Sequence, residues 1–398
     1  MDKKNKNPNV PNLRFKKYSN DWIKYKITDL GEMRRGKSKH RPRDDEMLYG
    51  GVYPFIQTGD IKKAYLYINE YEKTYSNYGL SQSKLWKKGT LCITIAANIA
   101  ETAILSMDAC FPDSVIGWCS NNQLTNNLFI KYYFDYYKEQ LKRLSVGGAQ
   151  ENLNLDKLEK IYFNIPSLQE QNNISNFLSK IDERIQTQIK IISDYKLLKN
   201  HIIKKVFHNC SEYDSLESLI KFGKAGGTPK STVKEFYDGN IPFLGISDIT
   251  NQGKYICHTM KNITQKGLNN SSAWIVPKNS LILSMYASVG LPAINKIPLA
   301  TSQAMMSMVF YDPQDVEYVY YYLCYFKKYR IHSLLETGTQ SNINASTVKS
   351  IKIPKLKATE KEKYINLFTK FDQLIDREKQ ILSFYQKQKS FLLKNMFI

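Results

Sequence analysis

The sequence repeats itself once, and this constrains the fold more than any other feature. Tyr53-Pro54-Phe55-Ile56-Gln57-Thr58-Gly59-Asp60-Ile61 matches Ile241-Pro242-Phe243-Leu244-Gly245-Ile246-Ser247-Asp248-Ile249. Trp86 matches Trp274 at the same offset of 188. Further on, Gly148-Ala149-Gln150-Glu151-Asn152-Leu153-Asn154 matches Gly338-Thr339-Gln340-Ser341-Asn342-Ile343-Asn344 at an offset of 190. A chain of 398 residues with one such repeat holds two copies of a unit of about 190 residues, and the slip in offset marks a short insertion between matched elements.

Each copy has two parts. The first carries β-branched and aromatic runs broken by Gly, Pro and Asn, such as Lys88 to Ile95, Lys278 to Met285 and Met305 to Tyr311. These are expected to be strands, with Tyr-rich helices near Leu128 to Leu144 and Asp315 to Leu335. The fold class is therefore α+β. The second part is a long helix. In the first copy Ser167-Leu168-Gln169-Glu170 fits a capping box, and the apolar seam runs Ile174, Leu178, Ile181, Ile185, Gln188, Ile192, Tyr195, Lys199, Ile202, Val206. In the second copy the expected cap is Thr359-Glu360-Lys361-Glu362. Its seam is Tyr364, Phe368, Phe371, Ile375, Glu378, Leu382, Tyr385, Lys389, Leu392, Met396. The polar breaks are equivalent, Gln188 with Glu378 and Lys199 with Lys389.

Spacing of 4 and 3 sustained over about five heptads argues for a coiled-coil seam. Some 38 residues at ~1.5 Å each make a rod of about 57 Å. The two helices either pair, with an antiparallel arrangement as the simplest closure, or pack each on its own globular part.

Composition narrows the function. Lys and Arg number 57 against 37 Asp and Glu, a net charge of +20. A polyanionic partner is expected, nucleic acid ahead of membrane, although Lys- and Asn-rich composition alone raises the charge. The 42% hydrophobic and 13% aromatic content excludes wholesale disorder. No apolar run reaches membrane-span length, and Met1 to Asn20 lacks the apolar centre of a signal peptide. Six cysteines without a C-x-x-C pair point to buried thiols in a reducing cytoplasm.

Signatures of catalysis are sparse. The five histidines form no H-E-x-x-H pair, and no Asn-Pro-Pro-aromatic run or Gly-x-Ser-x-Gly elbow is present. Gly31-Glu32-Met33-Arg34-Arg35-Gly36-Lys37-Ser38 satisfies the P-loop pattern, and nucleotide hydrolysis is one alternative. That pattern requires a strand before it and a helix after it, and Pro42 opposes the helix. The same residues also read as a basic loop: Arg34, Arg35, Lys37, Lys39, Arg41 and Arg43 put six cations into ten residues, enough to follow a phosphate backbone. A solvated surface loop is the plainer reading. Lys224 and Lys230 flank Ala225-Gly226-Gly227-Thr228-Pro229 at the equivalent place in the second copy.

Base readout needs amides and hydroxyls. The candidates are Gln57, Thr58, Asn98, Ser114 and Gln150 in the first copy and Ser247, Tyr286, Ser302, Gln303 and Gln340 in the second. A turn or cap role competes for each of them.

These features in combination resemble the specificity subunit of type I restriction–modification systems. The resemblance rests on Gly36-Lys37-Ser38 leading to Tyr53-Pro54-Phe55-Ile56, on Gln82-Ser83-Lys84-Leu85-Trp86 followed by Phe111-Pro112-Asp113-Ser114, and on Gly226-Gly227-Thr228-Pro229 leading to Asn240-Ile241-Pro242-Phe243. It rests also on Gly-x-Gln-x-Asn-x-Asn before Ile165-Pro166 and Ile353-Pro354, each followed by a long helix.

The resemblance implies two pseudo-repeated target recognition domains, 21–166 and 211–356. They are joined by long helices, 167–210 and 357–398, that form an antiparallel coiled coil, with a flexible segment at 1–20. It implies a DNA-specificity subunit without catalysis of its own, in which each domain reads half of a bipartite site and the rod sets the gap. The implied partners are double-stranded DNA and two modification subunits using S-adenosylmethionine to methylate adenine, with two restriction subunits using ATP and Mg2+ as optional members. No cofactor or metal is expected on this chain. The charge, +4 over residues 21–150 and +3 over 213–345, leads us to expect modest non-specific affinity without those partners. A stand-alone nucleic-acid-binding adaptor of the same build is the second alternative.

Overall fold

The computed structural model describes residues 9–145, 153–208, 210–286, 288–333 and 342–398. It divides into two compact units, residues 1–191 with 378–398, and residues 192–377.

The first unit is built on a five-stranded sheet. Its strands lie in the spatial order Gly31–Arg35, Val115–Ser120, Leu91–Thr94, Thr102–Leu105 and Tyr67–Ile68. All pairs are antiparallel except the last. The two central strands are buried on both faces, which explains why Leu91-Cys92-Ile93-Thr94 and Thr102-Ala103-Ile104-Leu105 show no alternation. A small two-stranded sheet of Tyr49–Phe55 and Lys73–Tyr75 lies beside it. Tyr49 and Tyr53 both register with Tyr75, the extra residues being taken up around Gly50 at φ +82°. Trp86 stacks on Phe111 at 4.7 Å over Gly117, where a Cβ would stand 2.4 Å from the indole. Only glycine admits that approach.

The second unit repeats this plan. Its sheet runs Ile220–Ala225, Met305–Phe310, Leu281–Ser284, Pro292–Asn295 and Tyr255–Ile256. Its smaller sheet joins Lys261–Ile263, Tyr237–Leu244 and Ala300–Thr301. The α+β class and the duplication expected from sequence are thus both present. The strands end earlier than the apolar runs. The Tyr-rich helices span Asn127–Ser145 and Pro313–Tyr329.

The long helices are Leu168–His208 and Ala358–Met396, 41 and 39 residues, or ~60 Å each. They run antiparallel. In the first unit Gln188 meets Glu378, and Lys389 Nζ lies 2.9 Å from Asp182 Oδ1. In the second unit Lys199 is paired with Asp372. Asp182 and Asp372 are 190 apart in sequence, as are Lys199 and Lys389, so each unit makes the same helix–helix ion pair once. The helices also pack on the globular parts, so the two alternatives for their burial coexist. Tyr132 Oη donates to Asp182 at 2.7 Å, and Tyr321 Oη donates to Asp372 at 2.7 Å.

Three details differ from expectation. Beyond Lys199 the buried face of the central helix moves from Ile202 and Val206 to Ile203 and Phe207, which are 4% and 0% exposed. A straight helix drifts by about 20° per heptad from a 3.5-residue repeat, and Phe207 here turns into a cluster with Tyr318, Tyr322 and Phe368. The final helix begins at Ala358, and Glu360 accepts the Lys357 backbone N–H at 3.2 Å, so Thr359 lies inside the helix and does not cap it. Cys119 and Cys257 are exposed, whereas Cys92 and Cys110 are buried as expected.

Within the segment expected to be flexible, several residues are tied down. Arg14 binds Glu170 in bidentate fashion at 2.7 and 2.8 Å, and the Leu13 N–H donates to the Asn395 carbonyl at 2.8 Å. Phe15 meets Phe177 edge-on. No helix among the described residues is long and apolar enough to cross a membrane.

Candidate nucleic-acid interface

In the first unit four loops meet at one end of the sheet, and the backbone hydrogen bonds show why. The Gly36 N–H donates to the Val115 carbonyl at 2.8 Å, placing the basic loop beside residues 112–115. The Ile95 N–H donates to Ser114 at 3.0 Å, adding the turn 95–100. The Ile56 N–H donates to Cys110 at 2.8 Å, adding the short helix Thr58–Lys63. Gly36 is held tightly, since a Cβ there would stand 2.3 Å from the Pro112 carbonyl oxygen.

The result is a cleft of about 310 Å³ lined by Ser38, Arg43, Asp44, Tyr49, Phe55, Gln57, Thr58, Lys73, Pro112 and Ser114. Four residues predicted from sequence to touch DNA, Arg43, Gln57, Thr58 and Ser114, therefore share one concavity. Asn98 lies on the neighbouring turn at φ +44°, between Ala97 at +43° and Ala100 at +63°, and accepts a hydrogen bond from Lys62 at 2.9 Å. Three non-glycine residues with positive φ in four positions store strain of the kind found at binding sites.

The basic loop is less free than its composition suggests. Arg43 Nη2 donates to both carboxylate oxygens of Asp113 at 2.9 Å. Arg41 lies 4.0 Å from the same carboxylate, and Arg35 Nε donates to the Asp113 carbonyl at 3.1 Å. Arg34 pairs with Glu32 at 2.6 Å. Lys37 and Lys39 are exposed with no ion pair among the described residues. The Met47 backbone N–H and the His40 ring hold Asp45 below the usual carboxylate range. Burial pushes Tyr75 up to about 12 and raises Tyr49, so both hydroxyls stay protonated.

The P-loop alternative fails on this geometry. Gly31–Arg35 is itself a strand, paired from Gly31 with Ser120 to Arg35 with Ile116. The first helical residues after Ser38 are the single turn Glu46–Leu48, so the loop does not lead into a helix N-terminus as a P-loop does. Among the described residues no cluster of His, Cys, Asp and Glu could hold a metal ion.

In the second unit the Gly226 N–H donates to Met305 and the Gly227 N–H to Thr301. Gln303 Oε1 accepts from Thr228 Oγ1, tying the glycine loop to Ser302 and Gln303. The Met285 N–H donates to Ala304, bringing up the turn that carries exposed Tyr286. Leu244 pairs in parallel with Thr301, which sets exposed Ser247 near the same edge. Lys230 is exposed in the loop, and Lys224 lies over Trp274 from the first strand. Gln150 and Gln340 lie outside the described residues. Sequence reasoning missed Lys73 and Tyr49 as parts of the cleft, and the Asp113 carboxylate as the partner of Arg43. Lys73 and Tyr49 could have been found from the repeat, because Lys261 and Tyr237 stand 188 residues on.

Comparison with known proteins agrees with this picture. The profile of the type I restriction modification DNA specificity domain matches residues 19–193 and again 211–383. The MjaIX type I restriction enzyme specificity subunit of Methanocaldococcus jannaschii is 32% identical over 178 residues, 44% of this chain and 40% of that protein. The HindI specificity subunit of Haemophilus influenzae is 31% identical over 185 residues, 45% of this chain and 37% of that protein. Each match thus spans about two fifths of the relative's length. The crystal structure of the type I restriction–modification S subunit from M. genitalium superposes with a TM-score of 0.60 at 17% identity, covering 98% of this chain and 99% of that one, and shares its fold.

Proposed function

The chain belongs to the type I restriction–modification DNA specificity family, and from that premise we propose that it selects the DNA sequence on which partner subunits act. Residues 21–166 and 211–356 serve as the target recognition domains, each reading one half of a bipartite site. Helices 167–210 and 357–398 are the spacer, with residues 1–20 leading in. The observation that carries this reading is the convergence of Arg43, Gln57, Thr58 and Ser114 on one cleft beside a loop of cations. Backbone contact by Lys37 and Lys39 supplies register, and amides and hydroxyls supply base discrimination.

The candidate DNA-contacting set is Arg34, Arg35, Lys37, Lys39, Arg41, Arg43, Gln57, Thr58, Asn98, Ser114 and Gln150, with Lys224, Lys230, Ser247, Tyr286, Ser302, Gln303 and Gln340. Two modification subunits, bound along the exposed helix faces, methylate adenine with S-adenosylmethionine. Restriction subunits using ATP and Mg2+ join where cleavage occurs. This chain binds no cofactor of its own and works in the cytoplasm. The half-sites lie about one helical turn apart, centre to centre.

Methylated-base mapping of the host genome with and without this gene tests the proposal. Loss of N6-methyladenine from one split motif is expected. An unchanged pattern in cells that make the protein would refute it.

A further inference from the structure

We propose that Arg43, oriented by Asp113, and Gln57 read a guanine and an adenine in neighbouring base pairs of the half-site bound by the first unit. The inference rests on the DNA-specificity reading above and adds what that reading lacks, the identity of two bases.

Arg43 is half exposed on the cleft, and both of its contacts to Asp113 use Nη2. The carboxylate fixes the plane of the guanidinium and leaves Nε and Nη1 without a partner among the described residues. The donors left open in that plane match guanine, whose major-groove edge presents two acceptors, O6 and N7. Gln57 is fixed from the other side. Its backbone N–H donates to Asp60 Oδ2 at 2.8 Å, and its backbone carbonyl accepts the Asp60 N–H at 3.1 Å. The side-chain amide makes no hydrogen bond among the described residues. One donor and one acceptor in a plane match adenine N6 and N7. Both groups open on a single cleft, so the two bases are neighbours along the helix.

A stacked, extruded base fits less well. Phe55 is buried and stacked on Tyr75 at 4.0 Å, and Tyr49 has Lys73 over its ring at 4.8 Å, so both aromatics that line the cleft are already engaged. The second unit has Gly245, Ile246 and Ala304 where the first has Gln57, Thr58 and Ser114, and neutral Gln303 where the first has Asp113. The same pair of readers is therefore absent there, and the effect belongs to one half-site.

The test is methylation mapping in host cells carrying the full-length chain as wild type, Arg43→Ala, Asp113→Asn, Gln57→Ala or Gln57→Glu. The wild-type motif should contain adjacent guanine and adenine in one half. Arg43→Ala and Asp113→Asn should relax the guanine alone by about tenfold or more, and Gln57→Ala the adenine alone. Gln57→Glu should move that preference toward cytosine, whose N4 amine a carboxylate accepts. A folding failure cannot produce such a switch. A split motif lacking the guanine–adenine step, or one that none of the variants alters, overturns this inference and leaves the family function standing. Absence of any split motif in wild-type cells overturns the function itself.

Discussion

Removing Asp182 should destabilise the first unit by about 3 kcal/mol. The Asp182 side chain is 1% exposed and that of Lys389 12%. At 2.9 Å and an effective dielectric of about 20, their attraction is ~6 kcal/mol before desolvation is counted. Tyr132 adds a charge-assisted hydrogen bond at 2.7 Å. Burial alone would lower the Lys389 pKa, yet Asp135 and Asp182 outweigh it and raise the value, so the ammonium is present in the fold. Asp182→Ala strands that ammonium in the interior and leaves Tyr132 without its acceptor. Breaking a buried pair from one side costs ~3–5 kcal/mol. Asp135, at 3.4 Å from Lys389, remains as a partner and holds the loss to the lower end.

Replacing both residues, as Asp182→Leu with Lys389→Met, should recover most of that loss, because a packed apolar pair avoids the desolvation of both charges. Urea unfolding followed by tryptophan fluorescence suits the measurement, since Trp22, Trp86 and Trp118 all lie in the first unit. A loss below 1 kcal/mol for Asp182→Ala, or a double variant no better than the sum of the singles, would refute the reasoning.

Tyr75 is held at about 12 by burial, above its unfolded value near 10. The resulting stability is complete below pH 10 and is lost as pH rises through 12, by ~3 kcal/mol for two units. Urea midpoints at pH 9 and 12 should show that loss in wild type and less of it in Tyr75→Phe; equal losses would exclude Tyr75 as the source. Gly36→Ala forces a Cβ to 2.3 Å from the Pro112 carbonyl, so it should cost ~1–3 kcal/mol in thermal unfolding and weaken DNA binding. Lys37→Ala should weaken binding evenly across sequences and reduce the salt slope by about one, and the isolated chain should show no ATP turnover to lose. Deleting Gln188 to Ile191 shortens the central helix by ~6 Å and should change the gap between half-sites; an unchanged gap in an active complex would reject the ruler role.

The duplication and the rod were legible because they are periodic: matching segments 188–190 residues apart and an apolar stripe over five heptads are one-dimensional signals. The shift from Ile202 and Val206 to Ile203 and Phe207 was not, because it depends on what the helix end touches. Threonine fits a cap role at 359, but the chain enters the helix two residues earlier than that cap implies and lets Glu360 serve. The cations from Arg34 to Arg43 were visible as a run. Their engagement by Asp113, seventy residues from Arg43, was not, since sequence shows charges without their partners. The sequence marks Gln57 and Ser114 by their chemistry alone, and the parallel contact of Phe55 with Cys110 brings them together.

The first unit is discontinuous: it takes residues 1–191 and then 378–398, whereas the second is the single run 192–377. On the ribosome this reverses the order expected from the direction of synthesis. The second unit has all its contacts available once residue 377 has emerged. The first must wait for Leu392 and Met396 to enter its core, for Lys389 to meet Asp182, and for Asn395 to accept the Leu13 N–H. At a synthesis rate of about 5–20 residues per second, the earliest-made part of the chain stays incomplete for many seconds, so the half of the protein translated first is the half that finishes last.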